Sequence, residues 1–239
     1  MAVHSGAWTL IIGASGGVGA STTAAVLAAA MAKSGEPVCL VDGHLGGGGI
    51  EVLLGVEQSV GLRWPDFQLA QGVIDMPAVL PALVQWEGVS VLSALRTSAK
   101  EIEPGAIHAL LSSLAAARIT TVLDAPPRLA CQVASMVESR AAAVIVSARN
   151  LLSVAGALAA RNHVAATNIR HGVVSTSHQH CAMTPREVAK ALQLNLWGDI
   201  RADQRIARAT ELGGGPLGTP SRAAKDLYAL ARNLSGDQR

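Results

Sequence analysis

Residues 10–23 read Leu-Ile-Ile-Gly-Ala-Ser-Gly-Gly-Val-Gly-Ala-Ser-Thr-Thr. An apolar run enters a glycine-rich turn and leaves it as an alanine-rich helical pattern. Glycines let successive backbone N–H groups turn inward around an anion, and the helix that follows adds the positive end of its dipole. The order strand, turn, helix is therefore set at the start of the chain. The side chains run against this backbone. A lysine belongs at position 20 of such a loop, and the residue there is Ala20.

The rest of the chain repeats the alternation. Short apolar runs predict strands over 8–12, 38–41, 89–92, 120–123, 143–147, 172–175 and 196–200. Helical patterns span 21–33, 50–54, 76–84, 104–117, 129–138, 151–165, 184–192, 204–211 and 221–233. Strands alternating with helices imply one three-layer α/β domain over residues 1–239. Its mostly parallel sheet has about seven strands, with helices on both faces. Ligands of such sheets lie beyond the carboxyl ends of the strands. The glycine loop, Asp42 and Asp124 all fall there. Residues 43–49 form a glycine-rich loop beside them, and 58–72 read as irregular structure around Trp64-Pro65-Asp66. With only 3% aromatic residues, the core must be built from Ala, Val, Leu and Ile.

Net charge is +2 and no dense Lys/Arg tract occurs, so nucleic acid is not expected as a partner. No apolar stretch reaches the roughly 20 residues that span a bilayer. No basic-then-apolar leader opens the chain. Three scattered cysteines suit reduced thiols in a cytoplasmic protein. The run His178-Gln179-His180-Cys181 reads as a polar surface loop, because no second ligand pair completes a zinc site. No Gly-x-Ser-x-Gly elbow for nucleophilic catalysis occurs.

A Walker loop requires G-x-x-x-x-G-K-[ST]. Here those positions hold Ala14, Gly19, Ala20 and Ser21. Gly16, Gly17 and Gly19 keep the backbone approach, and Ser21 keeps the hydroxyl that ligates magnesium. The plain alternatives are a glycine turn that binds nothing, or a dinucleotide site. Asp42 and Asp124 close buried strands and suit a magnesium ion or its waters; each alone also reads as a turn or cap residue. Asp203 opens a helix that ends at Gly213.

The loop resembles the deviant Walker loop of the ParA/MinD group of ATPases. Residues 199–213 are similar to that group's Ile-Pro-x-Asp-x-x-x-x-x-Ala-x-x-x-Gly element, which helps enclose adenine. Within the group, Gly-Ala-Ser-Gly-Gly-Val-Gly-Ala-Ser-Thr most resembles the CpaE/TadZ branch, where alanine at position 20 is habitual. Residues 41–50 and 61–66 look like actinobacterial members, CpaE-like or septum-site-determining proteins. The resemblance covers about residues 8–232. It implies a P-loop NTPase fold, ATP and Mg²⁺ as ligands, and a homodimer. Nucleotide contacts fall to Ser15, Gly16, Gly17, Val18, Gly19, Ala20, Ser21, Thr22, Ser175 and Asp203, and Arg201 is added to them as a candidate for the missing positive charge. Metal contacts, partly through water, fall to Ser21, Asp42 and Asp124. Partners would be pilus or secretion machinery, such as a secretion ATPase, that recruits the chain to a pole, septum or membrane.

Several positions depart from the family. Ser15 stands where a lysine reaches across a dimer to the partner's phosphates. His44 replaces the switch acid that positions water, and could itself act as the base, with Asp42 beside it. Arg201 stands at the element's proline and inherits no role; Arg149 and Arg201 are the candidates for the missing positive charge. No receiver-like domain is expected before the first strand, and no membrane-binding terminal helix is expected. A charge-assisted hydrogen bond is worth about 1.5–3 kcal/mol, so losing the lysine at 20 weakens triphosphate binding roughly ten- to a hundredfold. A cation given to the transition state is worth about 10³–10⁵ in rate. The expected function is an ATP-binding localisation or assembly factor for a Tad/Flp pilus or related secretion system, or for septum-site control. Its ATPase activity would be slow at most. The alternative is a nucleotide-free scaffold that works by protein binding alone.

Overall fold

A computed structural model describes residues 6–95, 102–137, 141–177 and 181–236. Helix α1 (Ala20–Ala32) joins strands β1 (Trp8–Gly13) and β2 (Val38–Asp42). Helices α2 (Ile50–Leu54) and α3 (Met76–Val79) lead to β3 (Val84–Trp86) and β4 (Val89–Leu92). Then come α4 (Pro104–Ala116), β5 (Thr120–Asp124), α5 (Pro127–Val137) and β6 (Ala141–Ala148). Helix α6 (Leu151–Val164), β7 (Arg170–Ser177), α7 (Pro185–Leu192), β8 (Leu196–Arg201), α8 (Gln204–Glu211) and α9 (Arg222–Gly236) follow.

The sheet order is β3-β4-β2-β5-β1-β6-β7-β8. Every neighbouring pair is parallel except β3 with β4. Helices cover both faces, so the inner strands are apolar throughout, and alternate residues feed opposite cores. Leu10, Ile12, Leu123, Ile145 and Val173 enter the core that α4, α5, α6 and α7 close. Ile11, Leu40, Val122, Val144 and Val174 enter the core that α1 and α9 close. By that alternation Asp42 and Asp124 share the α1 face.

All seven expected strands are present, and an eighth joins them. The expected helix over 76–84 stops at Val79. A short 3₁₀ turn over Leu80–Ala82 follows, with Pro81 inside it, and β3 begins at Val84. Proline cannot continue the helical ladder. Glu87 (φ 48°) and Gly88 (φ 79°) then make the doubly left-handed turn that a two-residue hairpin demands. The irregular stretch holds one 3₁₀ turn, Trp64–Phe67.

The chain steps from β5 to β6 across β1, which makes β1 the switch point of the sheet. In open α/β sheets the ligand crevice lies at such a point, outside the carboxyl ends of the strands. The loops at 14–19, 43–49 and 202–203 all leave from that edge. The outer walls of the edge touch each other as backbone. A Cβ at Gly55, just after α2, would lie 2.0 Å from the Gly213 carbonyl oxygen, just after α8. One at Gly215 would lie 2.7 Å from the carbonyl oxygen of Leu54.

Candidate functional site

The glycine loop occupies the switch point. Gly17 (φ 75°) and Gly19 (φ 86°) adopt left-handed backbone, and Gly19 is the N-cap of α1 with no side chain capping it. The N–H groups of the first helical turn are thus left for another acceptor. A Cβ at Gly16, Gly17 or Gly19 would meet nothing within 4 Å. The loop therefore bounds open space, lined by backbone. Val18 is buried beneath it, and Ala20, Ser21 and Thr22 are partly exposed at the helix start. Thr23 turns inward and donates Oγ1–H to the Gly19 carbonyl (2.8 Å).

Asp42 and Asp124 are direct register partners at the ends of β2 and β5, and both are buried. Their surroundings differ. Asp42 Oδ1 accepts the His44 N–H (3.0 Å), and Oδ2 accepts Ile50 N–H (2.9 Å) and Ala94 N–H (3.3 Å). Its carbonyl accepts Trp64 Nε1–H (2.8 Å). Asp42 thus pins both ends of the 43–49 loop. Burial pushes its carboxyl above the usual range, the three N–H groups pull it down, and Asp124 adds to the rise. Asp124 Oδ1 is buried with no hydrogen-bond partner among the described residues. His44 Nε2 stands 3.7 Å from it, beyond hydrogen-bond reach. The Asp124 carboxylate holds His44 above its ordinary pKa; burial opposes this, and Asp42 assists.

An orphaned buried carboxylate oxygen and an open backbone cradle fit a magnesium–phosphate group. Magnesium is held by one or two carboxylates together with phosphate oxygens and water. Asp124 and Ser21 would hold the ion. Asp42 has both oxygens engaged by backbone. No grouping of three or more His, Cys, Asp or Glu side chains that could hold a metal occurs among the described residues. Of the His178–Cys181 run, residues 178–180 lie outside the described residues, and Cys181 is exposed.

The other expected contacts divide into two groups. Ser175 on β7 donates to Asp199 Oδ1, and Arg149 bridges both through Asp199 Oδ1 and Ser175 Oγ. This network faces α6. Arg201 turns instead to α9, where it pairs with Asp226 (3.0 Å). Asp203 caps α8 by accepting Arg205 N–H (3.1 Å), and it also accepts Arg222 N–H at the start of α9 (3.2 Å). Its bond with the Arg205 side chain holds its carboxyl down at about 2. Ser15 donates Oγ–H to Ser153 of α6 (3.4 Å).

Ser147 and Ser153 join these networks and belong to no sequence motif, while Asp199 and Trp64 lie in the 199–213 and 61–66 stretches without a contact role having been read for them.

The profile of the ParA family, described as NUBPL iron-transfer P-loop NTPase, matches residues 6–234. The chain belongs to the ParA/MinD-type P-loop NTPases. An uncharacterised protein of Mycobacterium tuberculosis is 34% identical to this ParA-family chain over 231 residues, covering 97% of it and 63% of the relative. The chain thus spans less than two thirds of that relative's length. The septum site-determining protein MinD of Helicobacter pylori is 27% identical over 249 residues, covering 93% of this chain and 88% of MinD. Among solved structures, a ParA family ATPase of Chlorobium tepidum superposes with TM-score 0.79 at 17% identity, covering 96% and 98% of the two chains. MinD of Pyrococcus horikoshii complexed with Mg-ADP gives 0.71 at 19%, covering 97% and 98%. The MinC:MinD complex of Aquifex aeolicus gives 0.75 at 20%, covering 96% of each chain. These superpositions establish the fold of a ParA/MinD-type domain.

Proposed function

We propose that this chain is a nucleotide-responsive localisation and assembly factor of the CpaE/TadZ branch, with very slow hydrolysis of ATP or none. The observation that carries the reading is a cradle kept entirely as backbone. Gly16, Gly17 and Gly19 border open space, while Ala20 offers no charge and Ser15 is turned onto Ser153. Binding to phosphate survives such losses better than catalysis does, because a missing transition-state cation is worth about 10³–10⁵ in rate. Ser21 and Asp124 would hold magnesium, which would neutralise phosphate charge there. His44, whose ring faces Asp124, stands where the loop would respond to that ion.

The client is a Tad/Flp-type pilus or related secretion machine, or a septum-site apparatus. Leu151 and Leu152 support a protein partner at this edge, since both are largely exposed on the first turn of α6. The alternative is a nucleotide-free scaffold, favoured by the fact that both lysine positions lack a cation.

Calorimetric titration with Mg²⁺–ATP, with sizing run in parallel, separates the two. We expect saturable binding within the millimolar range and turnover well below about 1 s⁻¹, the low end for ordinary enzymes. No heat of binding at millimolar ATP would leave only the scaffold. Turnover at ordinary enzymatic rates would defeat both readings.

A further inference from the structure

The front of the glycine loop is held from behind by a helix distant in sequence. Ala14 N–H donates to the Val146 carbonyl at the end of β6 (2.9 Å). Ser15 Oγ donates to Ser153 Oγ (3.4 Å) in the first turn of α6. Ser153 Oγ also accepts Ala148 N–H (2.9 Å) and lies 3.2 Å from Ser147 Oγ. Asn150 Oδ1 caps that turn by accepting Ser153 N–H (2.9 Å). One residue type then permits the close approach. A Cβ at Gly156 would lie 1.9 Å from the Ala14 carbonyl oxygen. Position 156 is helical, where glycine is a poor choice on propensity alone.

We propose that Ser153 and Gly156 are positioning residues for the phosphate cradle, with α6 acting as its backstop. The inference rests on reading the loop as a nucleotide site. Without a lysine at position 20, binding depends on several weak N–H contacts, each useful only when already aimed. A loop with Gly16, Gly17 and Gly19 loses much conformational freedom on ordering. Fixing its first two residues in advance removes part of that loss from binding. Ser15 spends its single O–H on this anchor, which accounts for a serine where a long cation stands in relatives of the resembled family.

Gly156→Ala, Ser153→Ala and Ser153→Thr test the idea, with Ala155→Gly as a control on the exposed side of α6. The readouts are Mg²⁺–ATP affinity by calorimetry and amide hydrogen exchange of residues 14–19 in the nucleotide-free protein. Alanine strengthens helices relative to glycine, so a loss in Gly156→Ala does not come from poorer helix propensity in α6. We expect about a tenfold loss of affinity, the worth of one good contact, and faster exchange confined to 14–19. Ser153→Ala shows the same pattern, and Ser153→Thr restores most of it by returning the hydroxyl. Ala155→Gly leaves both readouts unchanged. Unaltered loop exchange in both Gly156→Ala and Ser153→Ala overturns the inference. If the unmodified protein binds no nucleotide, the earlier reading fails, yet the exchange of 14–19 still decides whether α6 positions the loop.

Discussion

Asp42 and Asp124 end neighbouring strands side by side, and their carboxylates meet opposite surroundings. Asp42 feeds three backbone N–H groups from two loops. Asp124 carries a buried oxygen without a hydrogen bond among the described residues. Asp42→Ala should destabilise the fold by about 2–4 kcal/mol, since it strands buried donors. Asp124→Asn should change stability far less, because it removes a buried charge whose Oδ1 lacks a hydrogen bond but also the carboxylate that holds His44 above its ordinary pKa. The same variant should lose magnesium-dependent nucleotide binding. Urea unfolding and calorimetry on the two variants check the contrast; equal destabilisation by both would refute it. The sequence marks both positions as strand-end acids and cannot tell them apart. The donors that claim Asp42 are main-chain groups at 44, 50 and 94, and backbone N–H groups carry no residue-type signal. Arg149 and Arg201 pose a similar case. Both are basic residues at strand ends, and only packing sends one to Ser175 and Asp199 and the other to Asp226 on α9.

Seven strands and most helices are legible from periodicity because their apolar runs are separated by clear breaks. The eighth, β3, was hidden by an apolar stretch that also fits a helix. The readable signal was Pro81 followed by Val-Gln-Trp-Glu-Gly-Val-Ser-Val, two alternating runs around a turn ending in glycine. The segment at 58–72 is legible only as irregular, since its order comes from contacts beyond its own periodicity. Arg63 makes the chief of these contacts. It donates Nε–H to the buried Glu51 of α2 (2.6 Å) and also reaches the carbonyls of Gly61 (3.0 Å) and Ser59 (2.9 Å). Arg63→Ala should cost about 3–5 kcal/mol, the usual penalty for removing one partner of a buried pair. Lysine at 63 should recover little of this, lacking the planar fork. Equilibrium unfolding measures both; a loss under about 1 kcal/mol for the alanine variant would show the bond to be ornamental, as exposed pairs are.

Across the whole molecule, the three thiols sample different depths. Cys39 lies in β2 within the core, and burial pushes its thiol up to about 12. Cys131 is half-buried and Cys181 exposed. Under native conditions a thiol reagent should modify Cys181 first and Cys131 more slowly. Cys39 should react only as fast as the sheet opens globally. Its labelling rate should therefore rise with denaturant along the global unfolding slope. Labelling of Cys39 at the Cys181 rate would mean that β2 opens on its own. Such local opening is hard to reconcile with the seam at the far end of that strand's loop. Gly55 and Gly215 meet Gly213 and Leu54 backbone to backbone, so any side chain added there is a wedge. The seam rivets the wall bearing the 43–49 loop to the wall bearing Asp203. A displacement of the wall that bears the 43–49 loop is then carried to the wall that bears Asp203 without a messenger segment between them, as in a pair of tongs joined at the tip.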